Sequence, residues 1–325
     1  MNNLIRSNAG WMALFALGCV APFVLYPTFL MQVLCFALFA SAFNLLLGFA
    51  GLLSFGHAAF FGGAAYVCAA LSKNYGVTPE LSVLAGGAFA ALLGLGFGAL
   101  SIRRAGIYMT MITLALAQLV FFFAVQLSFT GGEDGLQGVP RGKLFGLVDL
   151  TDNIPMYFFV FAVFCLGFWL IYRTVHSPFG QVLTSIRENE ARAISLGYDV
   201  EHFKLVAFVL SAALAGLAGA TKTVVLGFAT LSDAVWTTSG AVILMTLVGG
   251  MGTMVGPIVG ALIVIALENK IGDLGKALAE TTGIGWFNGL GESVNLVTGL
   301  IFILCVLAFR RGVVGEILHR LPGRR

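Results

Sequence analysis

Residues 154–172 read IPMYFFVFAVFCLGFWLIY, nineteen positions without a charge. A helix of about 17–25 apolar residues matches the hydrocarbon core of a bilayer, where the backbone must satisfy its own hydrogen bonds. Close behind, residues 177–204 read SPFGQVLTSIRENEARAISLGYDVEHFK, with four acids and three bases. The whole chain of 325 residues is only 10 % charged and 59 % hydrophobic, and its mean hydropathy is +0.97. A soluble domain has about a quarter of its residues charged, so the main solvent of this chain is lipid. The alternation of barrel strands is absent, which makes the expected fold an all-α, polytopic membrane helical bundle. No polar linker separates a second domain, so residues 1–325 read as one unit. The net charge of +3 gives no reason to expect nucleic acid.

Ten spans are predicted, at about 11–26, 28–47, 50–71, 81–100, 106–128, 155–173, 204–226, 236–250, 253–268 and 293–309. The first reads as an uncleaved span rather than a signal peptide, since Arg6 alone precedes it. Lys and Arg concentrate on cytoplasmic ends, and ten spans place twelve basic residues on one side: Arg6, Arg103, Arg104, Arg173, the three of the charged segment and the five arginines of the tail. Five fall on the other side, at Lys73, Arg141, Lys143, Lys270 and Lys276. Both termini and Glu188 are therefore expected in the cytoplasm, with Glu133 and Lys276 outside. Between spans eight and nine, Gly252, Gly256 and Gly260 repeat every four residues, as do Gly94 and Gly98 in span four. Such faces bring helix backbones close together, and glycines also serve broken helices beside a pathway.

No enzyme constellation emerges. Cys19, Cys35, Cys68, Cys165 and Cys305 all sit in apolar runs as small hydrophobes. His57, His176, His202 and His319 have no metal-ligand spacing, so no metal is expected. GLAGATKT at 216–223 misses the phosphate-binding loop because Thr221 replaces its second glycine, and no strand precedes it. All 15 acids fall in loops, tails or span ends of this reading. Lys222 is the one charge inside a span, either reaching for the outer interface or lining a pathway. With neither a nucleotide site nor coupling acids in the membrane, a transporter of this kind is a passive channel or takes its energy from another chain.

The charged segment has the pattern for that. Ser177-Pro178 starts a helix, Phe179, Val182, Leu183 and Ile186 recur on one face, and Gly197 supplies a left-handed stop. Arg187, Glu188, Glu190 and Arg192 face elsewhere. One or two short amphipathic helices on the cytoplasmic surface follow, either resting on the bundle or docking a partner. Glu190 reads as a surface side chain whose replacement changes folding by about 0.5 kcal/mol or less.

Residues 180–220, GQVLTSIRENEARAISLGYDVEHFKLVAFVLSAALAGLAGA, resemble the cytoplasmic loop and following span of LivM-like permeases of branched-chain amino-acid ABC importers. GLLSFGHAAFFGGAAY (51–66), IYMTMITLALAQ (107–118), TGGEDGLQGVP (130–140) and LVGGMGTMVGPIVGA (247–261) agree in the same order. The resemblance implies a type II-like importer fold of about ten helices in a bacterial inner membrane. It implies a second, LivH-like permease, two LivG/LivF-like ATPase subunits that hold ATP and Mg, and a periplasmic binding protein, with no cofactor in this chain. It makes about 174–203 the coupling loop, with Arg187, Glu188, Asn189, Glu190, Ala191, Arg192, Ala193, Leu196 and Gly197 at its centre. Gln181, Arg192 and Lys222 depart from the family pattern. Ser54, Phe55, His57, Phe60, Phe61, Tyr108, Thr110, Thr113 and Lys222 are the candidates for a translocation path. Urea, short amides and other amino acids are the alternative substrates within the family. A stand-alone channel or an ion-driven carrier is the rival from another class.

Overall fold

The computed structural model describes residues 15–16, 18–104, 106–282, 299–300, 303 and 312–320. Its helices are α1 (Pro27–Asn44), α2 (His57–Asn74), α3 (Pro79–Ser101), α4 (Ile107–Gln126), α5 (Asn153–Val175), α6 (Pro178–Glu188), α7 (Glu190–Ser195), α8 (Val200–Leu226), α9 (Trp236–Gly249), α10 (Gly256–Thr282) and α11 (Gly312–Arg320). Proline occupies the first turn of α1, α3 and α6, where its missing N–H leaves no bond unmade. Among the described residues five helices are long and apolar enough to cross a membrane: Pro27–Phe49, Pro79–Ser101, Ile107–Gln126, Asn153–Val175 and Val200–Leu226. The predicted span at 293–309 lies mostly outside the described residues, while of that at 11–26 residues 15–16 and 18–20 are helical and Ala21–Phe23 forms a 3-10 turn.

Two boundaries need correction. The span predicted over 50–71 begins only at His57, because Gly51 adopts φ +73° and the backbone from 50 to 56 is irregular. The apolar residues there hid a break that the glycine makes. The span predicted over 253–268 extends from Gly256 to Thr282. At 1.5 Å per residue this is about 40 Å, longer than the hydrocarbon core is thick. Lys270 and Lys276 therefore lie on a helix and not in a loop.

α8 is the central helix, packed on α3, α2 and α1. Small residues permit this. A Cβ on Gly219 would lie 2.1 Å from Phe61 O, one on Gly216 2.2 Å from Ala90 Cβ, and one on Gly94 2.4 Å from Ala212 Cβ. Between these backbones Phe39, Phe43, Phe60, Phe61 and Phe208 are fully buried.

Connections gather at two ends. At one end Arg187 of α6 reaches the α1–α2 connection, Asn44 reaches the α9–α10 turn, and Arg103 approaches Glu201 at the start of α8. Gly312, where α11 begins, lies against Gly250. At the other end the 127–152 connection folds over the end of α8. Leu136–Gln137 (β1) pairs antiparallel with Phe228–Ala229 (β4), Leu136 opposite Ala229, while Lys143–Leu144 (β2) pairs with Val148–Asp149 (β3). These two-residue ribbons amend the all-α expectation in a mostly helical chain. Arg141 fastens them by donating to Val225 O at 3.0 Å, Thr151 O at 3.1 Å and Asn153 Oδ1 at 2.9 Å. The Thr151 hydroxyl and backbone N–H both donate to Asp149, which holds that carboxyl below its usual range.

Candidate functional site: a docking segment and its link to the bundle

α6 begins where the Ser177 hydroxyl accepts from Gly180 N, and Gly180 lets it approach α5: a Cβ there would sit 2.2 Å from Val175 O. Leu183 and Ile186 are buried, and Phe179 stacks on Phe203 with ring centroids 5.3 Å apart. At Asn189 the backbone turns extended, ending α6, and the Asn189 side chain accepts from Arg192 N at 3.0 Å to start α7. Ala193 of α7 packs with Ile186 and Val200. Gly197, at φ +87°, closes α7 in the left-handed region, and Asp199 caps α8. Thus Asn189, Ala193 and Gly197 shape the segment. Its outer surface presents Glu188, Ala191, Arg192 and Leu196, together with Ile194 and Tyr198. Ile194 and Tyr198 add to the sequence candidates: α7 is too short for its spacing to show that Ile194 faces out, and Tyr198 lies in the turn beyond Gly197.

Two charges of the segment, although exposed, also bond to the bundle. Glu190 Oε1 accepts from Lys204 Nζ at 2.7 Å, and the lysine side chain is only 8 % exposed. Glu190 is thereby bound to α8, since burial of the ammonium requires a partner. Arg187 Nη1 donates to Gly48 O, in the single π turn Leu45–Phe49 that ends α1. A Cβ on Gly51 would meet Arg187 Cγ at 2.6 Å. Beside this contact Asn44 Oδ1 accepts from Gly252 N and Asn44 Nδ2 donates to Thr253 O, each at 2.9 Å.

That arrangement also separates the three glycines read as one packing face. Gly252 is a turn residue at φ +75°. Gly256 and Gly260 face the α9 backbone, where a Cβ would lie 2.4 Å from Gly250 O and 1.8 Å from Met245 O. Gly249 on α9 completes the contact, with a Cβ there 1.8 Å from Gly256 O.

The path candidates do not form one surface. Ser54 is buried and its Oγ accepts from Gly56 N at 3.1 Å. Phe55 N donates to Thr113 Oγ1 at 3.2 Å, and the Thr113 hydroxyl donates to Thr110 O at 2.9 Å. Thr110 in turn donates to Gly106 O at 3.2 Å. These groups organise the irregular 50–56 backbone. Tyr108 is 72 % exposed on α4. His57, Phe60 and Phe61 are completely buried within the chain. The Ser211 hydroxyl donates to Ala42 O at 2.6 Å, so it accepts from His57 Nε2 at 2.9 Å and fixes the Nε2–H tautomer. Rings of Phe43, Phe60 and Phe208 enclose the imidazole.

Lys222 forms an ion pair within the chain. Its ammonium pairs with Asp233, in the turn Leu231–Asp233, and lies 5.8 and 5.7 Å from the ring centroids of Phe36 and Phe61. The two charged side chains are 11 % and 7 % exposed. Asp233 lies in the connection between α8 and α9, as expected, and the turn that carries it packs against Gly62 of α2 and folds it into the interior. Among the described residues no three His, Cys, Asp or Glu side chains gather to hold a metal. A surface cleft of about 270 Å³ lies between α3 and α8, lined by Gly98, Ile102, Arg103, Asp199, Glu201 and His202 among others.

Residues 25–307 match the family model described as branched-chain amino acid transport system / permease component. The chain is similar to the high-affinity branched-chain amino acid transport system permease protein LivM of Escherichia coli (strain K12), 27 % identical over 256 residues, 72 % of this chain and 60 % of that one. The autoinducer 2 import system permease protein LsrC of Klebsiella pneumoniae is 27 % identical over 215 residues, 64 % of this chain and 60 % of LsrC. The probable branched-chain amino acid transport permease protein LivH of Methanocaldococcus jannaschii is 27 % identical over 265 residues, 77 % of this chain and 79 % of LivH. The chain thus spans about 60 % of the length of the LivM and LsrC relatives.

Proposed function

The chain belongs to the branched-chain amino acid transport system permease family, and from that premise we propose that it is a LivM-like subunit of a binding-protein-dependent importer in the bacterial inner membrane, most readily one for branched-chain amino acids. Its ten spans adopt a type II-like arrangement with both termini in the cytoplasm. A second, LivH-like permease completes the path, two LivG/LivF-like ATPase subunits supply ATP and Mg, and a periplasmic protein delivers the substrate.

The observation that carries the proposal is the α6–α7 segment. Its apolar face is used up on the bundle, yet Glu188, Arg192, Ile194, Leu196 and Tyr198 remain outside at one end. Exposed apolar side chains ringed by charges fit a protein partner, the charges setting its register. A helix that merely rests on the bundle needs no such outer face. The LsrC relative, named for autoinducer 2 import, supports a second reading in which the cargo is not a branched-chain amino acid.

The test is purification of the tagged chain with its ATPase subunits, followed by uptake of radiolabelled leucine into proteoliposomes supplied with binding protein and ATP. ATP-dependent uptake is expected. Uptake that proceeds at the same rate without ATP, with no ATPase subunit retained, overturns the reading in favour of a stand-alone channel.

A further inference from the structure

We propose that Arg187 and Asn44 are positioning residues that carry movement of the α6–α7 segment into the turn between α9 and α10. The proposal rests on the importer reading above. Arg187 stands two residues before the break between α6 and α7, where a displaced docking segment moves its neighbours most directly. Arg187 is exposed like Glu188 and Arg192, but its guanidinium is also tied to the bundle. It donates to Gly48 O, and among the described residues no carboxylate is paired with it. Gly48 lies in the last turn of the α1 run, where carbonyls have no helical partner and attract a cation. A neutral carbonyl on a π turn holds the arginine without neutralising it, so the contact can be released.

From this π turn the connection continues without a gap. Asn44 is buried and uses both ends of its amide on one turn, accepting from Gly252 and donating to Thr253. Gly48 itself abuts Gly252, since a Cβ there would lie 2.7 Å from Gly252 N. Thr253 then sets the start of α10: its hydroxyl accepts from Gly256 N at 3.0 Å and donates to Gly250 O at 2.7 Å. Each step is a directional hydrogen bond, and where Gly48 meets Gly252 no side chain lies between the backbones. Movement of Arg187 is therefore passed to the end of α9 and the start of α10. Anchoring of α6 does not need this chain of contacts, because Leu183 and Ile186 already bury its apolar face.

The experiment uses the complete complex in proteoliposomes, with radiolabelled leucine as the probe, and compares Arg187→Gln, Arg187→Lys and Asn44→Ala with the parent. The expected result is retention of the ATPase subunit in all three. Leucine taken up per ATP hydrolysed falls at least tenfold for Arg187→Gln and Asn44→Ala. Arg187→Lys, which still places a donor at Gly48 O, recovers a substantial part. A purely structural role would lower uptake and hydrolysis together and leave their ratio unchanged. Arg187→Gln changes a residue whose helix is surface-lying, so its complex is recoverable even if Asn44→Ala is not. An uptake-to-hydrolysis ratio within twofold of the parent for Arg187→Gln overturns the proposal. A parent complex that retains no ATPase subunit and takes up no leucine overturns the importer reading instead, and this proposal with it.

Discussion

Replacing Glu190 is expected to destabilise the protein, not merely to disturb its surface. Lys204 Nζ lies 2.7 Å from Glu190 Oε1, the lysine side chain 8 % exposed and the glutamate 47 %. Removing one partner of a fully buried pair costs about 3–5 kcal/mol, whereas an exposed pair contributes about 0.2–1 kcal/mol. This pair is buried on one side only. Its value therefore lies near that of a hydrogen bond to a charged group, and Glu190→Ala is expected to cost about 2 kcal/mol. Glu190→Arg sets a second cation beside Lys204 and costs more. Lys204→Met leaves a glutamate that water still reaches, at about 0.5 kcal/mol. The double substitution Glu190→Ala with Lys204→Met removes both charges and costs about 1 kcal/mol or less, because the orphaned ammonium is gone. Equilibrium unfolding of the four proteins in mixed micelles measures the cycle. Additive effects, within about 0.5 kcal/mol, would refute the argument that Glu190 stabilises Lys204.

Leu196→Glu alters a side chain that is 68 % exposed, so its stability should stay within about 0.5 kcal/mol of the parent. Its retention of the ATPase subunit on an affinity column should fall at least tenfold, and unchanged retention would remove Leu196 from the docking surface. Lys222→Met and Asp233→Leu should each destabilise by about 3–5 kcal/mol, while the pair together approaches the parent; thermal unfolding of the three proteins decides, and a double mutant worse than either single one contradicts it. Gly256→Leu should prevent recovery of intact complex, since even its Cβ meets Gly250 O at 2.4 Å and overpacking costs about 1–3 kcal/mol or more; size-exclusion profiles check this, and a normal yield would count against it. In a cysteine-free background an impermeant thiol reagent added outside should label Glu133→Cys and not Glu188→Cys, and the reverse pattern would invert the topology.

Much of the segment that carries the functional reading was legible locally. Ser177, Pro178 and Gly197 mark where helices start and stop by their own backbone and capping chemistry, and the apolar spacing from Phe179 to Ile186 picks out the buried face. The division into two helices was left open, because it depends on Asn189 turning its side chain to Arg192 N. The path candidates were less legible. Ser54 and Thr113 look like polar atoms available to a substrate, yet both are occupied by backbone N–H groups of an irregular connection. Sequence spacing does not say that the 50–56 backbone leaves the helix and needs those partners.

What the sequence determined by itself is the class of solvent, most helix limits, the absence of a phosphate loop and the identity of the segment exposed at one end. Each follows from properties of a few adjacent residues: hydropathy over about twenty positions, the φ preference of glycine and proline, and the capping chemistry of serine. The tertiary structure alone decided which charges are free. Glu190 is 14 residues from Lys204, Lys222 is 11 from Asp233, and Arg187 is 139 from Gly48. A charge in low dielectric takes whichever partner packing brings within reach. That choice is made by helices meeting at glycines far apart in the chain, and no local pattern records it.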